Sequence, residues 1–272
     1  YYHMTTAIKR IVMRYLLEAD LAIKKSNGDF QTNRYELTYL VENISTDKYN
    51  NIQLGPNTLD INQNQFRQLN ILEIEIDNIF MELDRSLIKS EDFLRRTIYR
   101  YDWIRCKINE YGKIVSIDNI KEMMESWSEI KNLLLRDYIG SSVTKYIENI
   151  DNQMLHQNYN IAPMAQYFYF GLIFPLIPLK HDSAWQGYRA VGLSDFDNYQ
   201  FEELITPISA DSQMRRYNVS GKTINPNIIK LKKYQGIIDM HINNTYPINA
   251  NIEVDYVRED VDISWSFKLT NY

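Results

Sequence analysis

The chain is short of the residues that staple small domains together. One cysteine, Cys106, stands among 272 residues, which excludes an intramolecular disulfide framework and a cysteine-rich zinc site. The four histidines, His3, His156, His181 and His241, are scattered with no pair at i, i+4, so a histidine zinc centre is not expected. Nine glycines and seven prolines are too few for collagen, glycine-rich linkers or fibrous repeats. No Walker loop, no Gly-x-Gly-x-x-Gly and no EF-hand loop occurs, so phosphate-cradling and calcium chemistry find no motif. A basic excess is also missing: the net charge is −5 and the pI near 5.5. That disfavours a dedicated nucleic-acid binder, which must neutralise phosphates with clustered cations.

Hydrophobic residues make up 44 % and charged residues 24 %, the balance of a globular chain with a substantial core. Tyrosine is abundant at 21 residues. Ile, Asn and Tyr share AT-rich codons, which points to a low-GC genome and, as an expectation, a bacterial, phage or virion component. The triplets at Asn43, Asn218 and Asn243 fit the glycosylation pattern, but an Asn-rich chain generates them by chance. Tyr1 to Met4 is too polar for a signal peptide and reads as a cloning remnant before Met4; Lys9 and Arg10 follow at once. With no regular transmembrane helix visible either, the cytoplasm or a virion is the expected location.

Periodicity divides the chain. Over 5–25, Ile8, Ile11, Val12, Tyr15, Leu16, Ala19 and Ile23 fall at helical spacing, ending at Gly28. Residues 34–45 fit either period, with Tyr35, Leu37, Tyr39 and Val41 alternating like a strand; the helix is preferred. Asp47 to Thr58 is a polar loop. Leu69, Leu72, Ile76, Ile79, Leu83 and Leu87 then form a near-heptad stripe. Ser90-Glu91-Asp92 reads as an N-cap with an acidic first turn, opening a helix through Leu94, Ile98, Tyr101, Ile104 and Ile108. Ser116 caps a further helix striped by Ile120, Met123, Trp127, Ile130, Leu134 and Tyr138; a shorter one restarts at Ser142. Short loops between long amphipathic helices predict an antiparallel bundle over 5–155.

Beyond that point the period becomes two. Ile252, Val254 and Tyr256 alternate with acids, and Ile263, Trp265, Phe267 and Leu269 alternate with polar residues. Opposed residues share a face. Pairing Tyr256 with Ile263, Val254 with Trp265 and Ile252 with Phe267 therefore gathers every large apolar residue on one side, Asp255 facing Ser264 and Glu253 facing Ser266. That register needs a two- or four-residue loop, and Glu-Asp suits a two-residue type I′ turn poorly, so four residues is preferred. Residues 229–233 and 238–242 read as two more strands and 243–247 as a turn. The expected fold is α+β: an N-terminal antiparallel helical bundle over 5–155, then a small C-terminal antiparallel β-sheet or sandwich domain over 160–272.

Between the halves, residues 161–179 carry no formal charge. Three prolines and Gly171 argue against a regular spanning helix. A buried crossing between the halves is the first reading; a membrane-inserting tongue and a partner-docking patch are the others. If the segment docks a partner, its aromatic and apolar residues Tyr167, Phe168, Tyr169, Phe170, Leu172 and Phe174, with Trp185 nearby, are the interaction residues.

Candidate chemistry is sparse. Lys180-His181-Asp182-Ser183 has triad residue types, but consecutive side chains do not line up in relay order, so a polar turn is expected. Glu253, Asp255 and Asp262 form an acidic, solvated strand face. Cys106 beside Arg105 and Lys107 reads as inert helical packing. The basic, Tyr-bearing stretch 215–234, with Arg215, Arg216, Lys222, Lys230, Lys232 and Lys233, reads as a solvated strand face. No catalytic residue, metal site, cofactor or small-molecule ligand is inferred. The expected role is a non-enzymatic structural or assembly protein contacting other subunits, by self-association or with a neighbouring gene product. A pore-forming protein using 161–179 is the alternative, and a hydrolase near His181 or the hairpin carboxylates is third.

Overall fold

The computed structural model describes residues 11–44, 70–109, 112–156, 162–195 and 197–272. Eleven strands form one antiparallel sheet in the order β5-β4-β3-β2-β1-β11-β10-β9-β8-β7-β6. The first five are β1 (Ile11–Lys24), β2 (Phe30–Asn43), β3 (Asn70–Glu82), β4 (Trp103–Ile108) and β5 (Ile114–Ile117). The others are β6 (Gly187–Ser194), β7 (Asp197–Ala210), β8 (Met214–Thr223), β9 (Ile229–His241), β10 (Pro247–Arg258) and β11 (Val261–Asn271). Helices α1 (Glu91–Ile98), α2 (Ile120–Asp137) and α3 (Ser141–His156) lie in the connections.

The expected helical bundle is therefore overturned. The residues assigned to its first two helices are strands, and β1 pairs with β11 from Tyr15–Asn271 to Lys24–Asp262. Strands from both halves of the chain thus belong to one sheet. In β1, alternate residues Met13, Tyr15, Leu17, Ala19 and Leu21 are buried, the period of a strand with one wet face. Val12 and Leu16 on the other face had completed a helical pattern. The β3 stripe has a different origin. Ile74 and Ile76 are buried, then Ile79 and Met81. The phase slips because Thr38 pairs with Asn78 while Tyr39 pairs with Ile76, leaving Asp77 as the extra residue of a bulge. Alternation with one slip mimics a heptad.

Other expectations hold locally. α2 buries Met123, Trp127 and Leu134 from its predicted stripe. It begins after Asn119, however, while Ser116 lies in β5. α1 begins after Ser90, but that serine makes no capping hydrogen bond, and the helix stops at Ile98. The chain then enters β4, so Cys106 is a strand residue. It is fully buried, and burial pushes its thiol up to about 12, far from reactive. The predicted loop 47–58 lies outside the described residues.

The β10–β11 register is as derived: Tyr256–Ile263, Val254–Trp265 and Ile252–Phe267 face inward, with Asp255–Ser264 and Glu253–Ser266 on the wet face. The turn differs. Arg258 pairs with Val261, so Glu259-Asp260 is a two-residue loop, with φ of 48° and 62°. Both central residues of a type I′ turn require positive φ, and here two acids adopt it. Residues 229–241 form one strand rather than two.

Candidate functional site

Helices and residues 164–178 cover the apolar face of the sheet, and most of that segment is core. Tyr167, Phe168, Tyr169, Phe170, Leu172 and Phe174 are at most 2 % exposed; they meet the sheet rather than solvent. Phe168 packs edge-on against Tyr35 of β2 at 5.0 Å, and Tyr167 against Phe267 of β11 at 5.3 Å. Trp185 is half-buried with its ring edge on Tyr217. The fold of the segment is tight at Gly171, whose N–H donates to the Gln166 carbonyl at 2.8 Å. A Cβ there would lie 2.7 Å from that same oxygen.

A segment with little regular structure must have its backbone polar groups satisfied from outside. The Tyr167 and Phe168 N–H groups donate to the Gly192 and Leu193 carbonyls of β6, two buried arginines reach carbonyls, and a third braces a side chain. Arg189 of β6 donates to the Phe174 carbonyl at 2.7 Å, and Arg215 of β8 to the Pro178 carbonyl at 2.5 Å and the Asn244 carbonyl at 2.6 Å. Arg100 donates to Asp195, which also accepts from the Tyr169 hydroxyl. Arg189 is in turn paired with Glu203 at 2.5 Å. Burial raises the Glu203 carboxyl and lowers the Arg189 guanidinium, each toward its neutral form, so their contact is what keeps the pair tolerable inside the fold. The charges here anchor the segment.

The other sequence candidates resolve without chemistry. Lys180 to Ser183 is a turn, with Asp182 accepting from the Ala184 N–H at 2.9 Å; no triad forms. Four cations of the basic stretch are engaged in cross-strand pairs: Arg216 with Asp239 at 2.7 Å, Lys222 with Glu202 at 2.9 Å, and Lys233 with Glu253 at 2.5 Å, while Lys232 meets Asp262. The hydrogen bond from Lys233 holds Glu253 below the usual carboxylate range. Among the described residues no group of three or more His, Cys, Asp or Glu is placed to hold a metal, and no helix is long and apolar enough to cross a membrane.

Among the described residues openings lie on both faces of the sheet. The first, about 610 Å³ and adjoined by one of about 290 Å³ beside Lys24 and Phe30, is a trough on the polar face of the sheet. Its floor is low because Ala22, Ser264 and Ser266 are small, and longer side chains such as Arg34, Glu82, Lys233 and Glu253 flank it. The second, about 410 Å³, opens between the apolar face and the helices. Leu21 and Ile23 of β1 and Tyr35 of β2 form its sheet wall; Phe93 and Leu94 of α1 with Val143 and Tyr146 of α3 form the helical wall. Phe93 anchors an aromatic cluster, 5.2 Å from Tyr138 and 5.5 Å from Tyr146, both edge-on. The Tyr138 hydroxyl turns outward to donate to Asp92 at 2.8 Å, leaving the ring on the cleft. Sequence reasoning missed this cleft. Leu94, Tyr138 and Tyr146 were placed on helix faces, but nothing local says that Leu21, Ile23 and Tyr35 stand opposite them.

No family model matches the sequence, and no curated protein matches it. Among solved structures, the chain is weakly similar to one titled lipid–protein interactions in lipovitellin, with a TM-score of 0.41 and 10 % identity. That match covers 97 % of this chain and 25 % of the other, so this chain spans a quarter of that protein's length. A MucA/MucB complex of Pseudomonas aeruginosa gives a TM-score of 0.14 at 9 % identity, covering 95 % of this chain and 89 % of the other. MucB in complex with MucA(peri) gives 0.13 at 7 %, covering 94 % and 88 %. Likeness at these levels carries no functional argument. None of these matches supports the expected phage or virion role or an oligomer, and both expectations are withdrawn.

Proposed function

We propose that this chain is a non-enzymatic binding protein that holds an apolar small molecule in the cleft between the inner sheet face and helices α1 and α3. The observation that carries this reading is the cleft itself: about 410 Å³ walled by aliphatic and aromatic side chains. Ligand sites commonly run from about 300 to 1,000 Å³, with mostly apolar linings and few polar groups. A fold that buries its sheet face so thoroughly elsewhere leaves this opening at the helix–sheet boundary. Among the described residues the buried charges anchor the segment around Tyr167 to Pro178 or pair across the sheet, as Asp239 does with Arg216, which gives no support to catalysis there.

Titration with the neutral apolar dye Nile red tests the proposal. The wild type should enhance its fluorescence saturably, and Val143→Trp, which fills the cleft from α3, should abolish that while circular dichroism stays unchanged. Saturable binding unaffected by Val143→Trp, or no binding by the wild type, would refute the reading.

A further inference from the structure

The cleft is not uniformly apolar. Of the residues that line it, Lys89 alone bears a charge. It sits in the 3₁₀ turn Ile88–Ser90 immediately before α1, and it is solvent-exposed, which puts it at the mouth. Among the described residues it has no ion-pair partner. On the polar face Lys222, Lys232, Lys233 and Lys268 are each paired to a carboxylate.

The remaining polar lining is uncharged, with the amides of Gln31 and Asn33 on the strand side and two serines on the helix side. Ser90 and Ser142 carry hydroxyls at the first turns of α1 and α3 and face the same opening. Ser90 leaves its hydroxyl unspent on capping. Helix starts carry partial positive charge, and α3 has no acid in its first turn. α1 does have two, Glu91 and Asp92, but neither lines the cleft, and Asp92 is engaged by Arg95 at 2.9 Å and by Tyr138.

Resting on the reading of the cleft as an apolar ligand site, we infer that its ligand is a single-chain anionic amphiphile. Its hydrocarbon tail lies along Leu21, Ile23, Phe93 and Val143, and its carboxylate meets Lys89 at the mouth. The charge complementarity is one-sided: an apolar wall whose single charged group is a cation takes a carboxylate head, whereas an ammonium head would face Lys89 unfavourably. The solvent-exposed head contact is worth up to about 1 kcal/mol, near fivefold in affinity. The tail contributes the rest through area removed from water.

Displacement of Nile red by dodecanoate and by 1-dodecanol, at equal chain length, separates the two claims. The expected result is about fivefold tighter binding of dodecanoate at low salt, with the preference shrinking as salt screens the exposed pair. Lys89→Gln should bring the ratio of the two affinities to about one, and Lys89→Arg should keep the preference. Equal affinity in the wild type, or a preference that survives Lys89→Gln, overturns the anionic-head inference while leaving an apolar ligand site standing. Failure of both amphiphiles to displace the dye overturns the inference together with the site it rests on.

Discussion

The residues that stand out in this core are its tyrosines. Tyr15, Tyr39, Tyr146, Tyr169, Tyr234 and Tyr246 are all held above the ordinary phenol value, in each case chiefly by burial. Several of these hydroxyls find partners inside, as Tyr15 donates to the Pro247 carbonyl at 3.0 Å and Tyr234 shares a hydrogen bond with Tyr167 at 2.7 Å, whereas the Tyr246 hydroxyl is buried without one. In the unfolded chain these phenols ionise near pH 10. Because their folded values are raised, the stability they contribute is complete below about pH 10 and is lost as pH rises through the folded values. Each buried tyrosine then costs about 1.4 kcal/mol per pH unit above about 10. We expect the urea midpoint to hold up to about pH 9 and to fall steeply by about pH 11, with phenolate absorbance rising cooperatively at unfolding. A midpoint unchanged across that range would show that these hydroxyls reach water.

At the scale of elements, turns and bulges decided what could be read. The β10–β11 register followed from alternation alone, since each apolar residue had to share one face. Its turn did not follow, because Glu259 and Asp260 are poor at positive φ and the tertiary pairing forced them into it. Replacing the pair by Asn-Gly should therefore raise stability by about 1 kcal/mol, measurable as a higher urea midpoint at unchanged slope; a lower midpoint would mean the two acids make compensating contacts. α2 was legible because its stripe matches its packing. β1, β2 and β3 were not, because Leu16 and Val12 on the wet face, strong helix formers such as Leu and Ala, and the Asp77 bulge all imitate a period near 3.6. The candidate site suffered the same loss. Its helical wall could be placed on helices, but its sheet wall came from segments read as helix, and Lys89 draws notice only once the walls are in place.

At the scale of the molecule, the sheet order runs consecutively outward on both sides of the β1–β11 contact. Each flank is a meander of near neighbours, whereas the central seam joins Tyr15 to Asn271. Local hairpins close quickly, and distant contacts must first overcome loop entropy. The two flanks should therefore zip independently, and the seam should close last, together with docking of the apolar segment across the flanks. Pulsed hydrogen exchange during refolding should find amides of the β2–β3 and β8–β9 ladders protected before those bridging β1 and β11; simultaneous protection would mean a nucleus that includes the seam from the start. A late seam leaves both hydrophobic flanks bare for a time, so a nascent copy is most exposed to strand exchange with a neighbour at its middle, and crowding during refolding should lower yield in proportion to concentration.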